Sequence, residues 1–442
     1  MSGRRRGLRP GAPRDITEVA EGRLCSGCGT CAFVAPDAVR MVDDLAAGRR
    51  PLQLLPSGSP STQAALRACP GAALAHDPGS VPAGADPGLL PGWGPVLEVW
   101  EGYAGDPELR FAGSSGGAAS ALALHLVGSG GAAGVIHTAA RADAPLLNET
   151  VVSTTREELL ARAGSRYAPA SPADGLGTAE RAGAVGSSPY VFIGKPCDVA
   201  GAAKATAVRP ALQAGLALTI GVFCAGTPST AGTLELVRAM GFADPSDVES
   251  VRYRGNGWPG EAVATGTRDG EFHEARFSYA DSWGAILQRH RQWRCHVCLD
   301  HTGEFADVAV GDPWYREIEP GEPGRSLVVV RTERGRQAVA AARASGALVL
   351  ERVGNDVLPR SQPNLVRTRG AVWGRITTMR LLGLPAPRYA HMPAFRSWLR
   401  DLTPREKASS FVGTARRIRA RRMRRPAVVV EHAAPRERSD AS

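Results

Sequence analysis

The sequence predicts an α/β (α+β) protein of more than one domain, and three observations carry that expectation. A length of 442 residues with 43% hydrophobic content is enough for two or three ordinary domain cores. Beyond residue 97, short apolar runs alternate with helical stretches, as strands covered by helices do. Ahead of them lies Pro78-Gly-Ser-Val-Pro-Ala-Gly-Ala-Asp-Pro-Gly-Leu-Leu-Pro-Gly-Trp-Gly-Pro95-Val96, which reads by composition as a linker over 78–96. The 52 glycines and 33 prolines imply many tight connections rather than long helices.

Cysteine defines the module before that linker, residues 16–77. Cys25, Cys28 and Cys31 follow C-x2-C-x2-C spacing, and where a bacterial ferredoxin run sets a fourth cysteine before proline the chain reads Ala35-Pro36. In two-cluster ferredoxins that fourth cysteine serves the other cluster, so its loss beside three retained ligands implies a single [4Fe-4S] cluster. Cys69-Pro70 offers the missing thiolate. A small ferredoxin-like module with Cys25, Cys28, Cys31 and Cys69 as ligands is therefore expected, and with it a part in moving electrons.

In the larger domain the pattern predicts a helix over 118–127, a strand over 134–138, and a helix over 156–163 capped by Thr154 or Thr155. Strands over 190–193 and 217–223 alternate with helices near 198–205 and 229–240. Residues 251–253, 262–265 and 272–279 read as a β-meander, with further strands at 308–310 and 327–331. The stretch 372–399 reads as helical, interrupted around Pro385 to Pro387.

Four more cysteines lie in this domain: Cys197 in Gly194-Lys-Pro-Cys197, Cys224 in Phe223-Cys224-Ala-Gly226, and the C-x2-C pair Cys295 and Cys298. Buried free thiols would account for the first two but not easily for the pair. Zinc and an iron–sulfur cluster both suit four thiolates, and the ferredoxin-type set nearby favours iron. Disulfides are not expected. The chain shows no secretory apolar stretch and no apolar run near the ~18 residues that span a bilayer, so it reads as cytoplasmic, where thiols stay reduced.

The net charge of +10 belongs to the ends: residues 1–15 carry +4 and residues 413–442 carry +6. The body is balanced, so nucleic acid is not the expected partner. The arginine run from Arg416 to Arg425 reads as a solvated, disordered tail. One glycine-rich turn, Ala112-Gly-Ser-Ser-Gly-Gly117, precedes an apolar helix whose N-terminus is suited to a phosphate. It fits neither common nucleotide motif. Lys195, just after a strand, is a candidate counter-charge for a reduced flavin or a phosphate.

In order along the chain stand Arg23-Leu-Cys25-Ser-Gly-Cys28-Gly-Thr-Cys31, Gly113-Ser-Ser-Gly-Gly117, Gly164-Ser-Arg-Tyr-Ala168, Gly194-Lys-Pro-Cys197, Phe223-Cys224-Ala-Gly226, Tyr253-Arg-Gly-Asn-Gly-Trp258-Pro-Gly260, Cys295-x-x-Cys298 and Glu304-Phe-Ala-Asp307-Val-Ala-Val-Gly-Asp312-Pro-Trp314. This series resembles the beta subunit family of coenzyme F420 hydrogenases and dehydrogenases, iron–sulfur flavoproteins that also take in hydroxymethyl chlorophyll a reductases. The resemblance runs from about Leu24 to Trp314 and on toward residue 365.

What the resemblance implies is an oxidoreductase with FAD and two [4Fe-4S] clusters. Residues 16–77 would be the ferredoxin-like module and 97–365 the FAD and iron–sulfur domain, with a helical segment at 366–412 and basic tails at 1–15 and 413–442. Cys197, Cys224, Cys295 and Cys298 become ligands of a cluster near the flavin, and Ser114, Ser115, Gly116, Gly117 and Lys195 become FAD contacts. Family members commonly carry a small residue at the place of Lys195. The implied partners are ferredoxin or another redox protein and a deazaflavin substrate, and an oligomeric assembly is compatible with them. A deazaflavin with an acidic tail wants a basic entrance, for which Arg252, Arg254, Arg289, Arg291 and Arg294 are candidates. Two further readings stand beside this one: a ferredoxin-dependent FAD reductase of a specific organic metabolite, and a zinc-stabilised, non-redox binding protein.

Overall fold

The computed structural model describes residues 8–319 and 321–432. Asp15 caps the first helix, Ile16–Glu21, accepting from the Glu18 N–H at 2.7 Å. A short helix, Thr30–Val34, carries Cys31. Strands β1 (Val39–Asp44) and β2 (Gly48–Gln53) form an antiparallel hairpin, whose turn is held by Asp44 accepting from the Ala46 and Ala47 N–H groups at 3.0 Å. Helix Pro60–Ala68, capped by Ser59 with proline in its first turn, ends on Cys69, and β3 (Ala73–Ala75) follows.

The larger domain is built on β4 (Glu98–Ala104), β5 (Gly134–Ala140), β6 (Asn148–Ser153), β7 (Tyr190–Gly194) and β8 (Leu216–Val222). The meander β9 (Val248–Arg252), β10 (Ala262–Arg268) and β11 (Glu271–Phe277) forms its own small sheet. Then come β12 (Val308–Gly311), β13 (Ser326–Val330) and β14 (Leu348–Arg352). The main sheet runs β14-β4-β13-β12-β8-β7-β5-β6. Its β12, β8, β7 and β5 are mutually parallel, with antiparallel partners on both flanks. The α/β class is thus a large mixed sheet with helices around it. Parallel neighbours end at one edge, so the segments after β7, β8 and β12 emerge side by side, the usual setting for a ligand.

Three strands of the main sheet escape the apolar pattern. β4 carries Glu101, fully buried and paired with Arg316 at 2.6 Å and Arg325 at 3.3 Å, so a charge interrupts its apolar run. β6 and β14 are edge or near-edge strands with exposed polar residues. The helix expected from 372 starts at Pro363, nine residues earlier, and ends at Leu381. The rest of the expected stretch to 399 holds a short strand, Arg388–Ala390, and the start of a helix, Ala394–Asp401. Arg369, buried on helix Pro363–Leu381, bonds the Leu299 carbonyl and Glu304, and its charge hides the apolar face in the sequence.

Two segments differ from expectation. The stretch 78–96 is not a loose linker: Trp93 and Val96 are buried, and the fully buried Arg331 donates to the Trp93 and Pro95 carbonyls at 2.6 and 2.8 Å. The part of the basic tail within the described residues is ordered. Helix Pro404–Ala420, with a Thr403–Glu406 capping box, buries Ile418, and Met423 is buried after it. The chain then runs back across the N-terminal module, where the Ala427 and His432 N–H groups donate to the Glu21 and Asp43 carbonyls at 2.9 Å. Residues 433–442 and 1–7 of the expected tails lie outside the described residues.

The module and the larger domain share one core. Ile16, Val19, Cys25, Cys31 and Cys69 cluster with Trp293, Val297, Val372 and Ile376, and β15 (Arg388–Ala390) pairs in parallel with β3. Among the described residues no helix is long and apolar enough to cross a membrane.

Candidate functional site

A cavity of about 280 Å³ opens at the carboxyl ends of β5, β7, β8 and β12. His137 and Thr138 come from β5, Lys195 from the end of β7, Cys224 from the end of β8 and Asp312 from the end of β12. Its polar side is the glycine turn. Ser114, Ser115 and Gly117 line it, and they lead into helix Ala118–Gly128, whose N-terminus has no side-chain cap. An eleven-residue helix left uncapped beside a cavity presents N–H groups to whatever fills it. Ser114 Oγ accepts from the Ser165 N–H at 2.7 Å, which joins the turn to the Gly164–Ala168 motif. Gly117 has φ +70°, and a Cβ there would collide with the Leu109 carbonyl. Gly116 is absent from the lining, and a Cβ there would lie 2.8 Å from the Arg325 α-carbon.

The opposite wall is aromatic. Tyr167, Tyr279, Trp283 and Trp314 line it, with Tyr279 and Trp314 stacked at 5.5 Å and Trp258 on Trp314 at 5.3 Å. Arg254 and Asp312 fix this wall from beneath. The Arg254 guanidinium donates to Asp312 Oδ1 and Oδ2 at 2.8 and 3.1 Å and to the Pro259 carbonyl at 2.6 Å, while Trp258 Nε1 donates to Asp312 Oδ1 at 2.8 Å. The Tyr253–Gly260 and Glu304–Trp314 motifs thus meet here, and the roles of Tyr279, Trp283, Asp312 and Trp314 were not assigned from sequence. Of the five candidate entrance arginines, only Arg254 lines the cavity. Arg294 is buried elsewhere, on the Pro70 carbonyl and Tyr389, Arg289 pairs with Glu235, Arg291 holds the Ala225 carbonyl, and Arg252 is absent from the lining. Arg162 and Arg166 line it instead.

Lys195 stands between the cavity and the second cysteine set. Its ammonium donates to Asp198 Oδ2 at 2.6 Å, and its own N–H to the same oxygen at 2.8 Å. Burial alone would lower its pKa, but Asp198 and the Cys197 and Cys224 thiols outweigh that and the net shift is upward. It stays charged. Cys197 opens helix Pro196–Thr206 and Cys224 follows β8. The Thr227 N–H donates to Cys295 Sγ at 3.3 Å, and Cys298 Sγ donates to the Asp300 carbonyl at 3.0 Å. Burial, then the neighbouring Cys295, pushes the Cys224 thiol up to about 12, and burial first, with Cys295 and Cys224 among its neighbours, does the same for Cys298.

The first set encloses a smaller, separate cavity lined by Cys25, Cys28, Cys31 and Cys69 with Ile16, Val19 and Met41. Burial, then the neighbouring Cys69, pushes the Cys28 thiol up to about 12. All eight cysteines are free. Among the described residues no three His, Cys, Asp or Glu side chains close on a point suited to a single ion. Helix Pro196–Thr206 connects the two sets: Cys197 begins it, a Cβ on Gly201 would collide with the Thr30 hydroxyl, and Lys204 donates to the Cys69 and Ala73 carbonyls at 3.0 and 2.5 Å.

His137 gives the site a pH signature. Its Nε2 lies 2.8 Å from Ser153 Oγ, and burial, then Arg162, lowers its pKa to about 4. Folding favours the neutral ring, so its contribution to stability is present above pH ~6.5 and is lost as pH falls from there through about 4. A His137→Gln variant should lose less stability than the parent over that window in urea unfolding; parallel curves would refute the assignment.

Two family models match the chain, both describing the coenzyme F420 hydrogenase/dehydrogenase beta subunit: the one for its N-terminal part covers residues 99–176 and the one for its C-terminal part covers residues 188–356. The coenzyme F420 hydrogenase subunit beta of Methanococcus voltae is 25% identical over 252 residues, covering 53% of this chain and 78% of that protein. Its counterpart from Methanosarcina barkeri (strain Fusaro / DSM 804) is 26% identical over 247 residues, covering 54% and 77%. A chain of the xenon-derivatised F420-reducing NiFe hydrogenase complex from Methanosarcina barkeri has the same fold, with a TM-score of 0.53 at 23% identity over 69% of this chain and 99% of that one. The first cysteine set and the C-terminal helices lie outside both matched ranges.

Proposed function

We propose, for a chain that belongs to the coenzyme F420 hydrogenase/dehydrogenase beta subunit family, an iron–sulfur flavoprotein oxidoreductase that exchanges electrons between a ferredoxin-type partner and a hydride carrier such as coenzyme F420. The observation that carries it is the composition of one cavity: an uncapped helix N-terminus on one side, stacked aromatic rings on the other, and Lys195 and Cys224 between them. Such a cavity suits a flat ring system joined to a diphosphate, which is the shape of FAD. Ser114, Ser115 and Gly117 would hold the diphosphate end. Lys195, kept charged by Asp198, would offset negative charge at the ring. Gly116, outside the lining, would serve the packing of the turn.

The donor sets fit clusters. Cys25, Cys28, Cys31 and Cys69 surround a small space lined mostly by apolar residues, with Ser26 beside them and no histidine or carboxylate on it. Zinc, at about 2.3 Å from each sulfur, would draw four thiolates almost into contact, whereas a four-iron cluster needs room between them. Cys197, Cys224, Cys295 and Cys298 would hold the second cluster on the far side of Lys195. Bound FAD supplies conversion between a two-electron hydride and single electrons. The chain's own contribution is to fix both cysteine sets on helix Pro196–Thr206 and to shield the cavity from water with its aromatic wall.

Anaerobically purified protein should contain about eight irons with matching sulfide, and about one FAD, per chain. Stoichiometric zinc without sulfide would overturn the reading.

A further inference from the structure

Behind the second cysteine set lies a group of arginines that have no acidic partner among the described residues. Arg291 donates to the Ala225 and Gln288 carbonyls at 3.1 and 3.2 Å, and a Cβ on the adjacent Gly226 would lie 2.8 Å from its side chain and 3.1 Å from the Cys295 Cβ. Arg375, on helix Pro363–Leu381, donates to the His296 carbonyl at 2.7 Å. At the end of helix Pro404–Ala420, Arg417 repels Arg375 and Arg421 repels Arg291, and Arg23, two residues before Cys25, neighbours Arg421 and donates to the Arg425 carbonyl at 3.3 Å. Among the described residues none of the five forms an ion pair with a carboxylate, and the Nε atoms of Arg375 and Arg417 are buried without an acceptor. Burial, then Arg417 and Arg291, pushes Arg375 down to about 10. Like charges gathered this way repel, and unpaired buried donors oppose folding. An anionic surface seated on the exposed side of the group relieves the repulsion.

We propose that this arginine cluster is the docking surface for an acidic electron-carrier protein. The choice of partner rests on the redox reading above and on position. Arg291 and Arg375 flank Cys295 and His296, so whatever binds here sits against the second cysteine set. Nucleic acid gains nothing from that position, whereas an electron carrier has to come close to it. Arg375, Arg417 and Arg421 lie beyond residue 356, where the match to the family model ends, so most of the surface lies outside the matched range.

The test is calorimetric titration of the full chain with an acidic plant-type [2Fe-2S] ferredoxin at low and moderate salt. The parent should bind, more weakly as salt rises, and Arg417→Glu/Arg421→Glu should bind at least about tenfold more weakly with little salt dependence left. Arg421→Gln, at an exposed side chain, gives the same direction with little risk to folding. Equal affinities in parent and variants, absence of ferredoxin binding, or saturable RNA binding that the variants lose would each overturn the proposal. Reduction of the parent by a small viologen needs no docking. Its failure would sink the redox reading separately, while the titration still judges the surface.

Discussion

Replacing Arg254 with methionine should destabilise the fold by about 3–5 kcal/mol, the range for removing one member of a buried ion pair. Arg254 is 2% exposed, and its guanidinium spans both oxygens of Asp312 and the Pro259 carbonyl. Methionine fills much of the volume but leaves the Asp312 carboxylate with only the Trp258 indole as a side-chain donor. The same carboxylate orients Trp258, which stacks on Trp314, which stacks on Tyr279. Loss of the arginine therefore loosens the aromatic wall as well as the pair, and the flavin proposed for this cavity should be lost with it. Arg254→Lys keeps the charge but not the planar fork and should fall between. Urea unfolding followed by tryptophan fluorescence reads the stability, and flavin absorption after gel filtration reads retention. A midpoint shared by parent and Arg254→Met would show that this pair does not hold the wall.

How much of this was legible depended on whether the signal was local. The cysteine spacings, the glycine turn before an apolar helix and the alternation of apolar runs with helices are carried by neighbouring residues, so the α/β class and the β9–β11 meander could be read directly. Charge buried by distant partners defeated that reading. Glu101 hid β4 because its arginines come from beyond residue 315, and Arg369 hid the start of helix Pro363–Leu381 because its acceptors lie at 299 and 304. The basic tail misled in the same way. Its composition is that of a solvated end, but Ile418 and Met423 are spaced to dock, a signal too sparse to see among seven arginines between 416 and 425. For the site, the motifs marked the right segments without saying which atoms face the cavity. Gly116 and Gly117 are adjacent and both left-handed, yet only Gly117 lines it. Arg254 was one candidate among five, and what singles it out is its fork on Asp312, a residue 58 positions away at the end of β12.

Changing Cys298 to serine should remove about half of the iron and weaken FAD retention while leaving the other cysteine set loaded. Cys197, Cys224 and the Cys295–Cys298 pair come from three segments far apart in sequence, brought together by the ends of β7 and β8 and the turn after Trp293. Four thiolates on one cluster would tie those segments, and Cys298 sits where the tie closes, coupled to Cys295 and Cys224 with Arg294 beside it. A hydroxyl is a poor substitute, because soft sulfur ligands hold iron–sulfur clusters and alcohol oxygen does not. FAD should suffer next: Cys224 lines the cavity, and Lys195, Cys197 and Asp198 share one helix start, so a slack second set lets that wall move. The first set is expected to survive, since Cys25, Cys28, Cys31 and Cys69 line a cavity of their own. Iron, sulfide and flavin analysis of the anaerobic variant, with circular dichroism as the check on folding, measures all three. Full iron and full flavin in a folded Cys298→Ser protein would mean that these four cysteines are ordinary buried thiols. Loss of every iron would mean that the shared core couples the two sets more tightly than helix Pro196–Thr206 alone explains.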